Sequence, residues 1–324
     1  MKKLQISFLW DWENPWIQML TWRDGLARAI QILSQEWDVK CYSIGENTIF
    51  QHDYFPIYLK PNSKELAEFI LSDRPDVILV WGDFTRPTIP YLAHKGIPMA
   101  LCLAGGTFRD YVDCFDLIFV ESEVYYQQLK SEGKNVRKAF GTNTELFKPI
   151  KQPKIFDAVN SSTFAYWKRH KLFAEAMRGY KSFCFGWMYK THEVECWTEP
   201  QERKVMIAPH IGANVIPFIL NASYTSLITS NSQGGSQRSV LEAMACGIPP
   251  IVMCDSNKTT EYVKESGFGK IVLPEVNDIR EAIDYLKKNP PNPQEGVDYI
   301  KSKYTEHHYA QKLKDGLLSI CRQN

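Results

Sequence analysis

The chain has 324 residues, of which 44% are hydrophobic and 23% are charged, a composition typical of a soluble globular protein. This length exceeds that of one ordinary domain and predicts two. The 38 basic and 37 acidic residues leave a net charge of +1, so no strong overall field favours nucleic acid as a partner.

The N-terminal apolar run 4–10 follows two lysines, as in a signal peptide. It ends at "DWEN" without a small-residue cleavage site, which fits a first β-strand better. No stretch reaches the ~18–20 apolar residues that a membrane span needs. The eight cysteines form no CxxC pair, which is typical of buried free thiols in a reducing compartment. We expect a cytoplasmic protein; contact with the inner face of the membrane through the basic and aromatic N-terminus stays open.

Apolar runs and amphipathic segments alternate through the first half of the chain. Strands are predicted at 4–10, 39–44, 76–81, 98–104, 116–122 and 136–141. Helices are predicted at 24–37, 63–73, 89–96 and 123–133. This alternation predicts a parallel sheet covered by helices. A polar stretch with two prolines, 142–154, predicts a linker, and the first domain is placed at 1–150.

The same alternation restarts after the linker. Strands are predicted at 156–162, 182–187, 204–210, 224–230, 249–254 and 270–273. Helices are predicted at 168–180, 214–222, 236–247, 259–267 and 276–289, then a break at "PPNPQEG" and a last helix through 304–320. The second domain is placed at 151–304, with 305–324 packing back onto the first. The fold class is α/β, with two Rossmann-like parallel-sheet domains facing across a cleft where ligands bind.

The segment "SNSQGGSQRSVLEAMACGIPPIVM", residues 230–253, combines a glycine loop with a helix start. Bare amides at 234–236, with a helix dipole behind them, can hold a phosphate or a sugar hydroxyl. Ser236 or Ser239 can cap that helix. Glu242 is placed to accept hydrogen bonds from a ribose diol. The alternative is a structural glycine turn followed by a surface glutamate.

The segment "GGSQRSVLEAMACGIPPIV" resembles the donor-binding segment of the retaining GT-B glycosyltransferases, specifically glycosyltransferase family 4. "FGTNTELFKP" and "EYVKESGFGKIVLP" are similar to two further segments of that family. The resemblance implies a metal-independent hexosyltransferase without a cofactor, using a nucleotide diphosphate sugar. A UDP-sugar is favoured and a GDP-sugar stays open. The implied acceptor is a saccharide or lipid-linked molecule of polysaccharide or glycoconjugate biosynthesis.

Carried over position by position, the resemblance implies that Glu242 holds the ribose and that Lys168 neutralises the leaving diphosphate. Arg169 lies beside Lys168 and is its possible substitute. The alternative for this basic cluster is a solvated helix start. The loop facing the donor sugar and its phosphates would consist of Gly234, Gly235, Ser236 and Gln237.

The chain departs from the family at three positions. The family's first glutamate, eight residues before the second, is Gly234 here. Its arginine ahead of the phosphate-binding lysine falls on Thr163, and its histidine after the fourth strand falls on Gly105, next to Gly106. Arg238 is the candidate replacement cation. These departures leave two alternatives to a transferase open: a non-catalytic nucleotide-sugar binder and a sugar-nucleotide epimerase.

Four residues at and just after the end of the first predicted strand are candidates for the acceptor side: Trp10, Asp11, Trp12 and Glu13. Indole faces pack on sugar C–H surfaces, and carboxylates accept hydrogen bonds from sugar hydroxyl groups. Core packing is the alternative for these tryptophans and for the nearby Trp16 and Trp22. Asp83 and Arg86 also follow a strand end. The seven histidines are scattered, so no metal site is predicted.

Overall fold

The computed structural model describes residues 3–10, 25–82, 86–103, 111–186, 205–209, 211–235 and 237–321. The chain divides into two compact units. The first consists of Met1–Phe140 together with Glu306–Asn324, and the second of Gly141–Thr305. The sequence placed the first boundary at 150, inside the polar stretch 142–154. That stretch lies in the second unit, where the Thr142 amide donates to the carbonyl of Tyr304 at 2.8 Å.

The first unit contains a sheet with the strand order β3-β4-β2-β1-β5-β6-β7-β8. Its strands are β1 (Gln5–Leu9), β2 (Asp38–Ile44), β3 (Thr48–Gln51), β4 (Pro56–Lys60), β5 (Val77–Gly82), β6 (Met99–Leu103), β7 (Leu117–Val120) and β8 (Val136–Lys138). Its first helices are α1 (Gly25–Leu33), α2 (Ser63–Ser72), α3 (Ile89–Leu92) and α4 (Glu123–Ser131). All pairs are parallel except β3 with β4.

The central strands of this sheet are buried on both faces. Residues of β1, β5, β6 and β7 are almost all inaccessible to solvent, as expected of parallel strands covered by helices. The sequence did not predict β3 and β4. All four residues of β3 are exposed, so no burial pattern marks that strand.

The second unit contains a parallel sheet with the strand order β11-β10-β9-β12-β13-β14. Its strands are β9 (Phe156–Ser161), β10 (Ser182–Gly186), β11 (Met206–Pro209), β12 (Ser223–Ile228), β13 (Pro250–Met253) and β14 (Lys270–Val272). Its helices are α5 (His170–Ala176), α6 (Ile216–Asn221), α7 (Gln237–Ala245), α8 (Asn257–Ser266), α9 (Val276–Lys288) and α10 (Pro293–Lys303). Two parallel-sheet α/β units therefore confirm the predicted fold class.

Helix α10 corrects the prediction of a break at 290–296. The side chain of Asn292 accepts a hydrogen bond from the Gln294 amide, and Pro293 occupies the first turn, where its missing N–H costs nothing. The helix packs on α7. A Cβ added at Gly296 would lie 3.0 Å from the carbonyl oxygen of Met244, so glycine permits this close approach.

The last helix, α11 (Glu306–Cys321), belongs to the first unit. It packs on α1 and β7. A Cβ added at Gly316 would lie 2.5 Å from two ring carbons of Phe119, so the helix approaches the sheet closely there. Arg137 of β8 also donates to the Ser319 hydroxyl at 3.0 Å. Among the described residues, no helix has the length and apolar character needed to cross a bilayer.

Gly186 ends β10 where the backbone of Ser162 approaches it. A Cβ added at Gly186 would overlap the Ser162 carbonyl, which is backbone and cannot rotate away. We expect Gly186→Ala to lower the free energy of unfolding by about 1–3 kcal/mol, measured by urea denaturation. The control is Gly212→Ala. Gly212 has φ −58° and ψ 139°, and its nearest neighbour would lie 4.0 Å from the new Cβ. Equal stability of the two variants would contradict the packing argument.

Candidate functional site

Polar side chains lie at the carboxyl ends of β9 and β12, at one edge of the second sheet. The Ser162 hydroxyl donates to the Asn160 side-chain oxygen at 2.5 Å, and the Asn160 amide donates to the Thr229 hydroxyl at 3.4 Å. The Thr229 hydroxyl donates to the backbone carbonyl of Lys168 at 2.6 Å. These bonds connect two strand ends to the segment that carries the basic cluster.

The backbone of that basic cluster differs from the predicted helix start. A 3₁₀ turn spans Tyr166–Lys168, and α5 begins only at His170. Between them Arg169 has φ 51° and ψ 48°, the left-handed conformation that costs a side-chain-bearing residue about 1 kcal/mol or more. Helical periodicity therefore placed the helix start two residues too early.

Lys168 lies beside the glycine loop. Its side chain is largely buried, at 7% relative exposure, and its Nζ donates to the Gly235 carbonyl at 2.9 Å. The loop itself turns tightly, because the Gly234 amide donates to the Asn231 carbonyl at 3.2 Å. The structure thus brings together a buried ammonium and the residues that precede α7.

Helix α7 is fixed against the end of β9. The Ser239 hydroxyl donates to the Ser161 carbonyl at 2.5 Å. Ser239 therefore anchors the helix to the sheet and does not cap it. Every residue of α7 is buried except Arg238, which is half-buried. Gln237, the first residue of the helix, is 1% exposed.

Glu242 is the carboxylate of this buried helix, with 0% relative exposure. It lies three residues after Ser239, so both side chains share the helix face directed at the end of β9. Burial raises the pKa of the Cys246 thiol, and the negative charge of Glu242 raises it further. The alternative of a surface glutamate is wrong. Burying a carboxylate costs several kcal/mol, so its presence here favours a binding role.

Gly234 and Gly235 lie next to two larger side chains. A Cβ at Gly235 would lie 3.0 Å from the side-chain oxygen of Gln237. A Cβ at Gly234 would lie 2.7 Å from Cδ1 of Trp167. Position 234 therefore lacks room for a side chain while Trp167 keeps this rotamer.

Arg169 and Thr163 flank the site in different ways. The guanidinium of Arg169 forms a two-pronged ion pair with the carboxylate of Asp255, after β13, with one N–O distance of 3.0 Å. Its positive charge is therefore balanced by a carboxylate. Thr163 is half-buried and its amide lies near Gly186 at the end of β10.

Several predicted residues lie outside the described part of the chain, so their roles stay predictions. They are Asp11, Trp12, Glu13, Trp16, Trp22, Asp83, Gly105, Gly106 and Ser236. Trp10 is described and is 1% exposed, with its ring stacked on Trp81 at 4.1 Å between centroids. The guanidinium of Arg86 lies 5.4 Å from the Trp81 ring centroid. Trp10 thus matches the core-packing alternative.

The sequence analysis missed His170 and the polar residues that fix Lys168. His170 is 1% exposed, stacks on Phe164 at 4.8 Å, and lies 3.3 Å from the Ser162 hydroxyl. The missed signal was the run of small polar residues after each apolar strand, "NSS" and "TSNS". Such residues at the carboxyl ends of parallel strands commonly line ligand sites.

Solved structures of glycosyltransferases share this architecture along nearly their whole length. Sucrose-phosphate synthase from Thermosynechococcus elongatus matches at 14% identity and a TM-score of 0.78, covering 99% of this chain and 100% of that one. Anabaena HepE, solved with UDP and glucose, matches at 13% and 0.76, covering 98% and 100%. The trehalose-6-phosphate synthase OtsA matches at 10% and 0.74, covering 99% of both chains. The fold is that of the GT-B glycosyltransferases.

The family assignment comes from the second half of the chain. Residues 143–303 match the family described as glycosyl transferases group 1. No curated protein sequence matches the chain. Within the described residues, no group of three or more histidine, cysteine, aspartate or glutamate side chains is placed to hold a metal ion.

Burial, and secondarily the charge of Lys168, lowers the pKa of His170 from 6.5 to about 3. The unfolded chain therefore binds a proton below pH 6.5 that the folded chain does not bind until about pH 3. The free energy of unfolding therefore decreases as the pH falls from 6.5 to about 3. Between pH 7.5 and 5.5 we expect the wild type to lose about 1.4 kcal/mol more than His170→Gln in urea denaturation. His307→Gln, at an exposed histidine, is the control; parallel losses in wild type and His170→Gln would refute the prediction.

Proposed function

We propose that the chain transfers a hexose from a nucleotide diphosphate sugar, with a UDP-sugar favoured, to a saccharide or lipid-linked acceptor with retention of configuration. The observation that carries this proposal is the largely buried Lys168 ammonium, 2.9 Å from the Gly235 carbonyl at the start of α7. A buried cation beside a glycine loop and a helix N-terminus suits a diphosphate. The context is polysaccharide or glycoconjugate biosynthesis.

Lys168 supplies the positive charge for the departing diphosphate. Negative charge develops on the leaving phosphate oxygen in the transition state, and a preorganised cation with little water around it stabilises that charge most. The Thr229 hydroxyl fixes the Lys168 backbone, so the ammonium needs little reorganisation. Loop amides and the dipole of α7 add to the same field.

Glu242 binds the ribose of the donor. A carboxylate can accept hydrogen bonds from two hydroxyl groups at once, which matches the vicinal diol of a ribose. Glu242 shares a helix face with Ser239, whose hydroxyl contacts the end of β9, and this position is consistent with a nucleotide at the carboxyl edge of the sheet.

The acceptor oxygen attacks on the face from which the phosphate leaves, and that phosphate takes its proton. This scheme needs neither a strong protein base nor a metal ion. UDP is favoured because the structurally similar HepE has been solved with UDP-glucose. The acceptor side is assigned to residues that follow β1 in the sequence: Asp11, Trp12 and Glu13.

A non-catalytic nucleotide-sugar binder is the second candidate. Position 234 bears no acidic side chain, and the Trp167 ring closes the space that one would need. Calorimetric screening of nucleotide diphosphate sugars, followed by assays of nucleotide release with a panel of saccharides, separates the two. Binding without release in every combination would favour the binder.

Replacing Glu242 tests the ribose contact. Glu242→Gln keeps the volume but removes the charge, so we expect the affinity for UDP to fall about 10-fold, or about 1.4 kcal/mol. Isothermal titration calorimetry measures this change. Glu281→Ala, at an exposed glutamate of α9, is the matched control. Unchanged affinity in a folded Glu242→Gln variant would remove the ribose assignment.

Replacing Lys168 tests the leaving-group contact. Lys168→Met keeps the aliphatic stem and removes the ammonium, so we expect nucleotide release to slow about 100-fold or more. Lys301→Ala, at an exposed lysine of α10, is the control. A Lys168→Met variant that keeps the wild-type rate would exclude Lys168 from the transition state.

A further inference from the structure

Trp167 occupies the space beside the glycine loop that a side chain at 234 would need. A Cβ built on Gly234 would lie 2.7 Å from Cδ1 and 3.5 Å from Nε1 of its indole ring. The backbones of these two segments are also hydrogen-bonded to each other, since the Asn231 amide donates to the Trp167 carbonyl at 3.0 Å. With Trp167 in this rotamer, a side chain at 234 and the indole ring would therefore compete for the same space.

The same space adjoins the ammonium of the site. The Cβ position at Gly234 lies 3.5 Å from Nζ of Lys168. The indole of Trp167 consequently borders the group to which the proposed function assigns the diphosphate. The donor sugar is attached directly to that diphosphate, so the neighbouring side chain is well placed to contact the sugar.

Trp167 presents an aromatic surface there. The residue is half-buried, and Tyr166 packs edge-on against it at 4.9 Å between ring centroids, with Tyr166 itself 65% exposed. Within the described part of the chain, the indole Nε1 makes no hydrogen bond. An indole offers an aromatic face to sugar C–H groups and one N–H hydrogen-bond donor, but it cannot accept a hydrogen bond from a sugar hydroxyl through that nitrogen.

We propose that Trp167 is a specificity-determining residue that contacts the sugar of the donor, in the place where an acidic side chain at 234 would otherwise act. This inference rests on the proposed function. A carboxylate accepts hydrogen bonds from particular hydroxyl groups and so discriminates against sugars that lack those hydroxyls. An aromatic contact discriminates far less, so donors that differ in one hydroxyl bind with similar affinity.

The first experiment measures how much the sugar adds to nucleotide binding. Calorimetry gives the dissociation constants of UDP and UDP-glucose, or of GDP and GDP-mannose if the donor screen selects guanosine. We expect Trp167→Ala to weaken nucleotide-sugar binding about 10-fold while nucleotide binding changes less than about twofold. Phe218→Ala, at an exposed aromatic residue of α6, is the control and leaves both constants unchanged.

The second experiment tests the mutual exclusion without a ligand. Gly234→Ala is expected to lower the melting temperature in the wild-type background, because the new Cβ meets the indole. The same change in a Trp167→Ala background is expected to have little effect. Additive effects of the two substitutions would show that the residues do not compete for space, and would overturn the inference.

The outcomes separate the two proposals. If no nucleotide diphosphate binds the wild-type chain, the proposed function fails and this inference fails with it. The decisive quantity is the dissociation constant of the nucleotide divided by that of the nucleotide sugar. If nucleotides bind but Trp167→Ala leaves this ratio unchanged, only the assignment of Trp167 is overturned. A lower ratio in Trp167→Ala than in the wild type, together with non-additive melting temperatures, supports the assignment.

Discussion

Two hydrogen bonds from hydroxyls to backbone carbonyls hold the candidate site together. Thr229 donates to the carbonyl of Lys168, and Ser239 donates to the carbonyl of Ser161. The first fixes the turn that carries the ammonium, and the second fixes α7, which carries the buried carboxylate. Both bonds are buried, so losing either would leave a carbonyl unsatisfied as well as a side chain misplaced. The geometry of the charged groups depends on these neutral contacts.

The same contacts explain how the chain keeps two charged groups away from water. Lys168 and Glu242 are both buried, and the cost of burying an ionised group is offset only by fixed polar neighbours. Around Lys168 the Gly235 carbonyl supplies such a neighbour. Helix α10 keeps α7 covered, because glycine at 296 allows the two backbones to approach. Burying these two charged groups therefore lowers the stability of the second unit but holds their charges in fixed positions, an arrangement that suits anion binding.

Sequence reasoning located most regular elements because parallel strands and amphipathic helices leave strong periodic signals. It missed β3, whose four residues are exposed, and α10, whose prolines resembled a break although one of them begins the helix. Through the family resemblance it assigned Lys168 and Glu242 to one donor site, and this assignment stays a prediction. It did not find Trp167 opposite Gly234, because this contact joins residues distant in sequence and depends on a side-chain rotamer, which no local pattern encodes.

The glycine at 234 changes the electrostatics of the site as well as its shape. An acidic side chain there would begin 3.5 Å from the Lys168 ammonium, and its charge would oppose the field that attracts a diphosphate. With glycine and a neutral indole instead, the position contributes no negative charge. Arg169 shows the opposite arrangement, since Asp255 balances its charge. Glycine at 234 therefore adds no negative charge that would weaken the positive potential of Lys168.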